Sequence, residues 1–411
     1  MEKTLVQNIG LLCTPQGSSV HAGEMQGQME KIPEACVLME DGIITYAGSQ
    51  ADFPMEKAQG AQVIDAGGNL VTPGLIDAHT HLVFGGWRQH EIPLKLAGAG
   101  YLDILRMGGG ILSTVRHTRE ASEEELLRRS EDFLNEMLSM GVTSCEIKSG
   151  YGLDLENELK QLRVIKKLQE THPMDIDATF LGAHAVPEEY KEDPDGYVDL
   201  LVEKILPAVA EEKLARCCDV FCETGAFDVP QSRKVLMAGK ALGLVPRIHA
   251  DEIDAIGGAQ LSAEVGALSA EHLIASNEEG MQAMAKGGVI ADLLPATSFY
   301  LDKTFAPARR MVELGIPVVI ASDFNPGSCP CLNMQFVINL GCLKYKLTPE
   351  EVLTAVTLNG AAAIDLADKV GSVEEGKMGD LVIWDAPDLD YICYRVGSNL
   401  AKTVIKRGEI V

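Results

Sequence analysis

Positive charge is scarce in this chain. Its 411 residues carry 35 Lys and Arg against 60 Asp and Glu, a formal net charge of −25 at neutral pH. A field of that sign repels phosphate backbones and anionic headgroups, which argues against nucleic acid or an anionic membrane surface as partner. It says nothing about the charge of a small substrate, because one local arginine can outweigh a distant field. Long apolar runs are also missing: no stretch reaches the roughly 20 residues a bilayer demands. The opening residues, MEKTLVQNIGLLCTP, show no basic segment leading into an apolar one, so no secretion signal is expected. The ten cysteines form no ladder of regular spacings, and such thiols are expected to be reduced rather than paired. No repeat or low-complexity segment stands out. These absences point to a cytoplasmic enzyme.

Apolar residues make up 46% of the chain and charged ones 23%, as in an ordinary soluble enzyme with a large core. The length suits one barrel domain plus a smaller one. The two ends share a pattern that the middle lacks. VLMEDGIITYAG and AQVIDAGGNLVTPG near the start, and GKMGDLVIWDAP and TVIKRGEIV near the finish, are short β-like segments with glycine turns. Met39-Glu40-Asp41-Gly42 before IITYAG is a hairpin signal. A composite β-sandwich domain is therefore expected from residues 1–72 and 356–411. The barrel is expected over 73–355, between two termini that lie close together.

The middle alternates strand and helix. Ser122-Glu123-Glu124-Glu125 has the pattern of a helix N-terminal capping box. Leu126, Leu127, Leu134, Met137 and Leu138 follow on one helical face, and Gly141 closes the helix. Eight apolar runs lie between helical patterns: LIDAHTHL, TSCEIKS, DATFLGAH, CDVFCE, VPRIHAD, ALSAEHL, VIADLLP and PVVIASD. Eight buried strands joined by helices predict an α/β fold, a (β/α)₈ TIM-like barrel.

The chemistry gathers at the ends of these runs. His79 and His81 close the first, two residues apart, so a strand sends both to the same face. His184 closes the third run, His249 the fifth, His272 the sixth and Asp323 the eighth. A lone strand-end histidine is as readily a hydrogen-bonded rim residue as a ligand. Five of them at the ends of four strands, beside an aspartate, are costly to bury together unless a metal compensates. Imidazole and carboxylate suit Zn²⁺ or Fe²⁺ with an open position for water. His79, His81, His249 and Asp323 can supply the cage, with His272 beside the water. The fourth run, CDVFCET, offers Cys222 and Glu223 but no lysine that could bridge two metals, which favours one ion. Lys148, on the second run, reads as part of a buried ion pair.

VTPGLIDAHTHLVFGG, RIHADE, SAEHL and IASDFNPGS resemble the amidohydrolase superfamily, and GSVEEGKMGDLVIWD resembles its return to the β domain. HTHLVFGGWR, GGGILSTV, KSGYGL, GAHAVP, IHADEID, SAEHL and DFNPGS together are similar to its imidazolonepropionase family, over essentially the whole length. That resemblance implies one Zn²⁺ or Fe ion per subunit on His79, His81, His249 and Asp323. It implies substrate contacts from Arg88, Tyr151, His184 and Glu252, and a product-binding loop containing Asn325, Gly327 and Ser328. The implied reaction is hydrolysis of the cyclic amide of 4-imidazolone-5-propanoate to N-formimidoyl-L-glutamate, with Asp323, His272 and Glu252 handling protons, in a homodimer. Arg88 suits a propanoate carboxylate, although a surface salt bridge is its bland alternative. Cys329 and Cys331, just past Gly327, could be soft ligands but are better read as structural. Two rivals stand beside this reading: a hydrolase or deaminase of another cyclic amide or amidine, and a non-catalytic scaffold on the same fold.

Overall fold

Strands covered on both faces are short and rich in apolar residues, and the eight runs form one parallel sheet whose buried charges, such as Glu146, Lys148, Asp219, Arg247 and Glu271, lie inside the barrel. The computed structural model describes residues 2–98 and 109–411. Gly108, the first glycine of GGGILSTV, lies outside that range. Barrel strands 1 to 8 are Leu75–Asp77, Val142–Lys148, Asp175–Ala183, Cys217–Cys222, Val245–Ala250, Ser269–His272, Ile290–Leu293 and Val318–Ile320. Each pairs with the next in sequence. The circle closes just beyond strands 1 and 8. There the Asp323 N–H donates to the His79 carbonyl at 3.0 Å, and the His81 N–H to the Phe324 carbonyl at 2.9 Å. The expected (β/α)₈ barrel is thus present, and its seam runs between residues expected to share a metal.

The helix after the capping box spans Glu123–Ser139. Ser122 Oγ accepts the Glu125 N–H and the Glu125 carboxylate accepts the Ser122 N–H, so two otherwise orphaned donors are satisfied reciprocally. Leu126, Leu134, Met137 and Leu138 are buried, with Leu127 at the margin of that stripe. Gly141 follows with φ 101°, a conformation closed to side chains. It turns the chain directly into strand 2.

Both termini build one second sheet. Its order is Glu409–Ile410, Ala401–Lys406, Leu381–Trp384, Leu70–Pro73, Lys3–Thr14, Glu30–Glu40 and Ile43–Ser49, with Gln62–Asp65 also paired to Lys3–Thr14. Val37 and Ile44 from one end of that order share a core with Leu381, Ile383 and Ile405 from the other, so the sheet folds across itself as a sandwich does. The expected hairpin is present: Glu40 pairs with Ile43, and both Asp41 and Gly42 have positive φ, as a two-residue type I′ turn requires. The helix Leu358–Ala363, early in the C-terminal segment, packs on Ile76 and Val319 of barrel strands 1 and 8. The chain re-enters the terminal sheet only at Leu381. Lys406 ties the two units together, 2.5 Å from Asp175 and 2.6 Å from Asp380. Among the described residues no helix is long and apolar enough to cross a membrane.

Candidate metal centre and active site

Four side-chain donors converge where the barrel closes. His79 Nε2 and His81 Nε2 lie 3.2 Å apart, and His249 Nε2 lies 3.4 Å from His81 Nε2. Asp323 Oδ1 is 3.5 Å from His79 Nε2 and 3.3 Å from His81 Nε2. Donors about 2.0–2.2 Å from one ion stand a little over 3 Å from each other, as these pairs do; His79, His81 and Asp323 form one group of potential donors, and His79 and His249 form another with His272. All four side chains are buried. Asp323 and His272 hold φ of 56° and 69°, a strained conformation worth roughly 1–3 kcal/mol each for residues with a Cβ.

The far nitrogens of the ligands are buttressed. Glu271 Oε2 is 3.1 Å from both His79 Nδ1 and His249 Nδ1, and Asp219 Oδ2 is 3.0 Å from His249 Nδ1. Carboxylates there favour the proton on Nδ1 and leave the Nε2 lone pair for an ion. Burial pushes both imidazoles down, but these carboxylates overcome it and raise His79 to about 9 and His249 to about 10. Burial dominates at His81 and pushes it down to about 3. For Asp323, burial raises the carboxyl, yet the bonds to His79 and His81 bring it well below the ordinary range. Lys148 fills the layer beneath, 3.0 Å from Glu146, 3.0 Å from Asp219 and 3.3 Å from Glu271. It is an ion-pair hub, as its apolar strand context suggested. Arg247 is the second buried cation there, 3.4 Å from Glu271. With their values raised, His79 and His249 are protonated at neutral pH and join Lys148 and Arg247 in balancing Glu146, Asp219, Glu271 and Asp323. A divalent cation in the cage would take over that charge from the two Nε2 protons.

The cavity above the cage measures about 640 Å³, the size of a small-ligand site. It is lined by His81, His249, His272 and Asp323 on its floor, and by Arg88, Tyr151, His184, Glu252, Asn325, Gly327 and Ser328 higher up. His79 lies beneath, fully buried. The structure therefore brings the expected metal donors, His272 and the expected substrate- and product-binding residues to one place. Each rim group is held by its own loop. The His184 ring stacks on His81 at 4.9 Å between centroids, and its Nδ1 is 3.1 Å from the Gly150 carbonyl. Burial holds His184 well below the ordinary histidine range, so it is neutral. The Tyr151 N–H donates to Gln161, and the next two N–H groups donate to buried Glu158, both on the following helix. Glu223 accepts the N–H groups of Ile253 and Asp254 and so fixes the loop carrying Glu252, whose Oε2 is 3.8 Å from His272 Nε2. Asn325 Oδ1 accepts the N–H groups of Gly327 and Ser328, closing the loop upon itself.

Cys329 donates its thiol to the Ser322 carbonyl. Neither it nor Cys331 joins any cluster of metal-ligating side chains among the described residues. Four contributors were not singled out as site residues: Glu271, Asp219, Thr297 and Glu91. Glu271 precedes His272 inside SAEHL, and its alternation on the strand aims it inward, a signal available in the sequence. Asp219 was equally readable as an inward position on strand 4. Thr297, which donates to Asp323 Oδ2 at 2.5 Å, sits in a helix far along the chain and carried no local signal. Neither did Glu91.

A model of the amidohydrolase family matches residues 248–411. Among solved structures, the guanine deaminase of E. coli superposes with a TM-score of 0.76 at 14% identity, covering 100% of this chain and 99% of that one. A triazine hydrolase variant superposes at 0.74 with 15% identity, covering 100% and 94%. Barrel, appended sheet and donor set together define an amidohydrolase. Curated sequences narrow this further. An imidazolonepropionase of Alkaliphilus metalliredigens (strain QYMF) is 50% identical over 100% of this chain and 98% of its own length. That of Brevibacillus brevis is 50% identical over 96% and 94%. The chain belongs to the imidazolonepropionase family.

Proposed function

We infer that the chain hydrolyses the ring amide C–N bond of 4-imidazolone-5-propanoate, giving N-formimidoyl-L-glutamate in the third step of L-histidine degradation. The observation that carries this reading is the meeting of two unlike groups in one cavity. A four-donor metal cage forms its floor, and Arg88, a carboxylate-binding group, stands at its rim. His79, His81, His249 and Asp323 would hold one Zn²⁺ or Fe ion. That ion supplies Lewis acidity, which brings a water's pKa toward neutrality.

The protein's own groups do the rest. Arg88 and the Tyr151 hydroxyl anchor the propanoate carboxylate and orient the ring. His184 and Glu252 hydrogen-bond its nitrogens and oxygen. Asp323, held ionised, takes the proton of the attacking water on Oδ2. His272, kept neutral by burial, donates to the carbonyl oxygen as charge develops there. When the C–N bond breaks, Asp323, His272 or Glu252 returns the proton to the departing nitrogen. Asn325, Gly327 and Ser328 line the wall against which the product rests. The family also carries the expectation of a cytoplasmic homodimer, which light scattering on the purified chain checks for its oligomeric half.

Elemental analysis coupled to an assay tests the whole reading. About one Zn or Fe per chain and loss of ring absorbance with 4-imidazolone-5-propanoate are expected. Turnover of neutral nucleobases or triazines instead would overturn the substrate. Protein purified without metal, and inactive when metal is added, would overturn the chemistry.

A further inference from the structure

We propose that Glu91 is a positioning residue for substrate recognition: it occupies the side-on edge of the Arg88 guanidinium, so the substrate's carboxylate is read by the end-on edge above Gly327. The inference rests on the reading of Arg88 given above and adds what orients it.

Arg88 and Glu91 flank a single 3-10 turn, Gln89–Glu91, closed by the Glu91 N–H donating to the Arg88 carbonyl at 3.0 Å. Residues three apart eclipse each other in that geometry. Glu91 Oε1 accepts Arg88 Nε at 2.9 Å, and Oε2 accepts Nη2 at 3.2 Å. Glu91 is buried, and its Oε1 also accepts the Gly110 N–H at 2.7 Å, so the carboxylate is itself anchored.

A guanidinium has five N–H groups in a rigid plane. Glu91 takes the Nε hydrogen and one on Nη2. What is left is the opposite fork, both Nη1 hydrogens and the outer one on Nη2, and it too matches a carboxylate. Backbone geometry makes room for that fork beside the cavity that Arg88 and Gly327 both line. A Cβ at position 327 would stand 2.0 Å from Nη1 and 2.7 Å from Cζ, so only glycine leaves the guanidinium its place. A side-on grip of the substrate by Nε and Nη2 is excluded while Glu91 holds them.

Two effects of Glu91 on substrate affinity have opposite signs, and this makes the proposal testable. Its negative charge beside Arg88 weakens attraction for an anion. Its bidentate hold keeps a flexible side chain in one orientation. The proposal is that orientation wins.

The experiment uses Glu91→Gln in the purified, metal-loaded enzyme. We expect KM for 4-imidazolone-5-propanoate to rise about tenfold with kcat changed less than about threefold. Inhibition by glutarate, a carboxylate probe without the ring, should weaken in parallel. In an Arg88→Ala background, Glu91→Gln should have no further effect on KM. An unchanged or lower KM would overturn the proposal, and so would an equal penalty with and without Arg88. Should Glu91→Gln fail to fold, Glu91→Asp retracts the carboxylate by one methylene and is read in the same way. Absence of wild-type turnover would count against the functional reading instead, and glutarate binding to wild type and variant would still decide the role of Glu91.

Discussion

The floor and the rim of the cavity are built by different means. On the floor, His79, His81, His249 and Asp323 project from strand ends. The carboxylates of Glu271 and Asp219 lie behind the histidines, and Lys148 lies behind those carboxylates. On the rim, Arg88, Tyr151, Glu252 and Asn325 stand on loops, each held by one or two local partners such as Glu91, Gln161 or Glu223. The floor is redundant and deeply buried, and its partners come from all around the barrel. The rim is modular. A closed barrel can keep one kind of chemistry while its loops change what is bound, and the roles proposed for floor and rim divide along the same line.

If that division is right, floor variants should lose turnover or metal, and rim variants should lose affinity. The largest effect is expected from Asp323→Asn. It keeps the shape and part of the metal affinity but removes the proton acceptor, and kcat should fall by about a thousandfold or more. Near-native turnover would remove Asp323 from the mechanism. Glu271→Gln should weaken metal binding by about 10–100-fold, measured by competition with a chelator. KM at saturating metal should be nearly unchanged, and a rise in KM would blur the division between floor and rim. Arg88→Ala should act on substrate affinity alone. Removing a charge-assisted pair raises KM by about 10–100-fold, with metal content untouched and little loss on a ring analogue that lacks the carboxylate. Equal losses on both substrates would mean that Arg88 does not read the carboxylate.

Much of this arrangement could be read from residue order. The eight runs correspond one for one to the barrel strands, because a strand buried on both faces is short, rich in apolar residues and bounded by helical patterns. The Ser122 cap and the Asp41-Gly42 turn were equally plain, since each is a local demand of the backbone met by a few adjacent side chains. The candidate donor positions stood out because a barrel exposes strand ends at one mouth, where polar residues contrast with apolar runs. Thr297 and Glu91 were not. Each matters through one partner, Asp323 or Arg88, and nothing in residue type separates such a contact from an ordinary surface polar group.

By itself, then, the amino-acid order determined the barrel, the four donors and the presence of an arginine at the mouth. Periodicity and strand ends are local properties, and the chain spells them out directly. Only the folded chain decided that Glu271 backs two histidines at once, that the cage closes across the seam of strands 1 and 8, and that Arg88 offers one edge of its guanidinium and not the other. Those are distances between residues up to 244 positions apart, as from His79 to Asp323, and they exist only once the strands have closed into a circle.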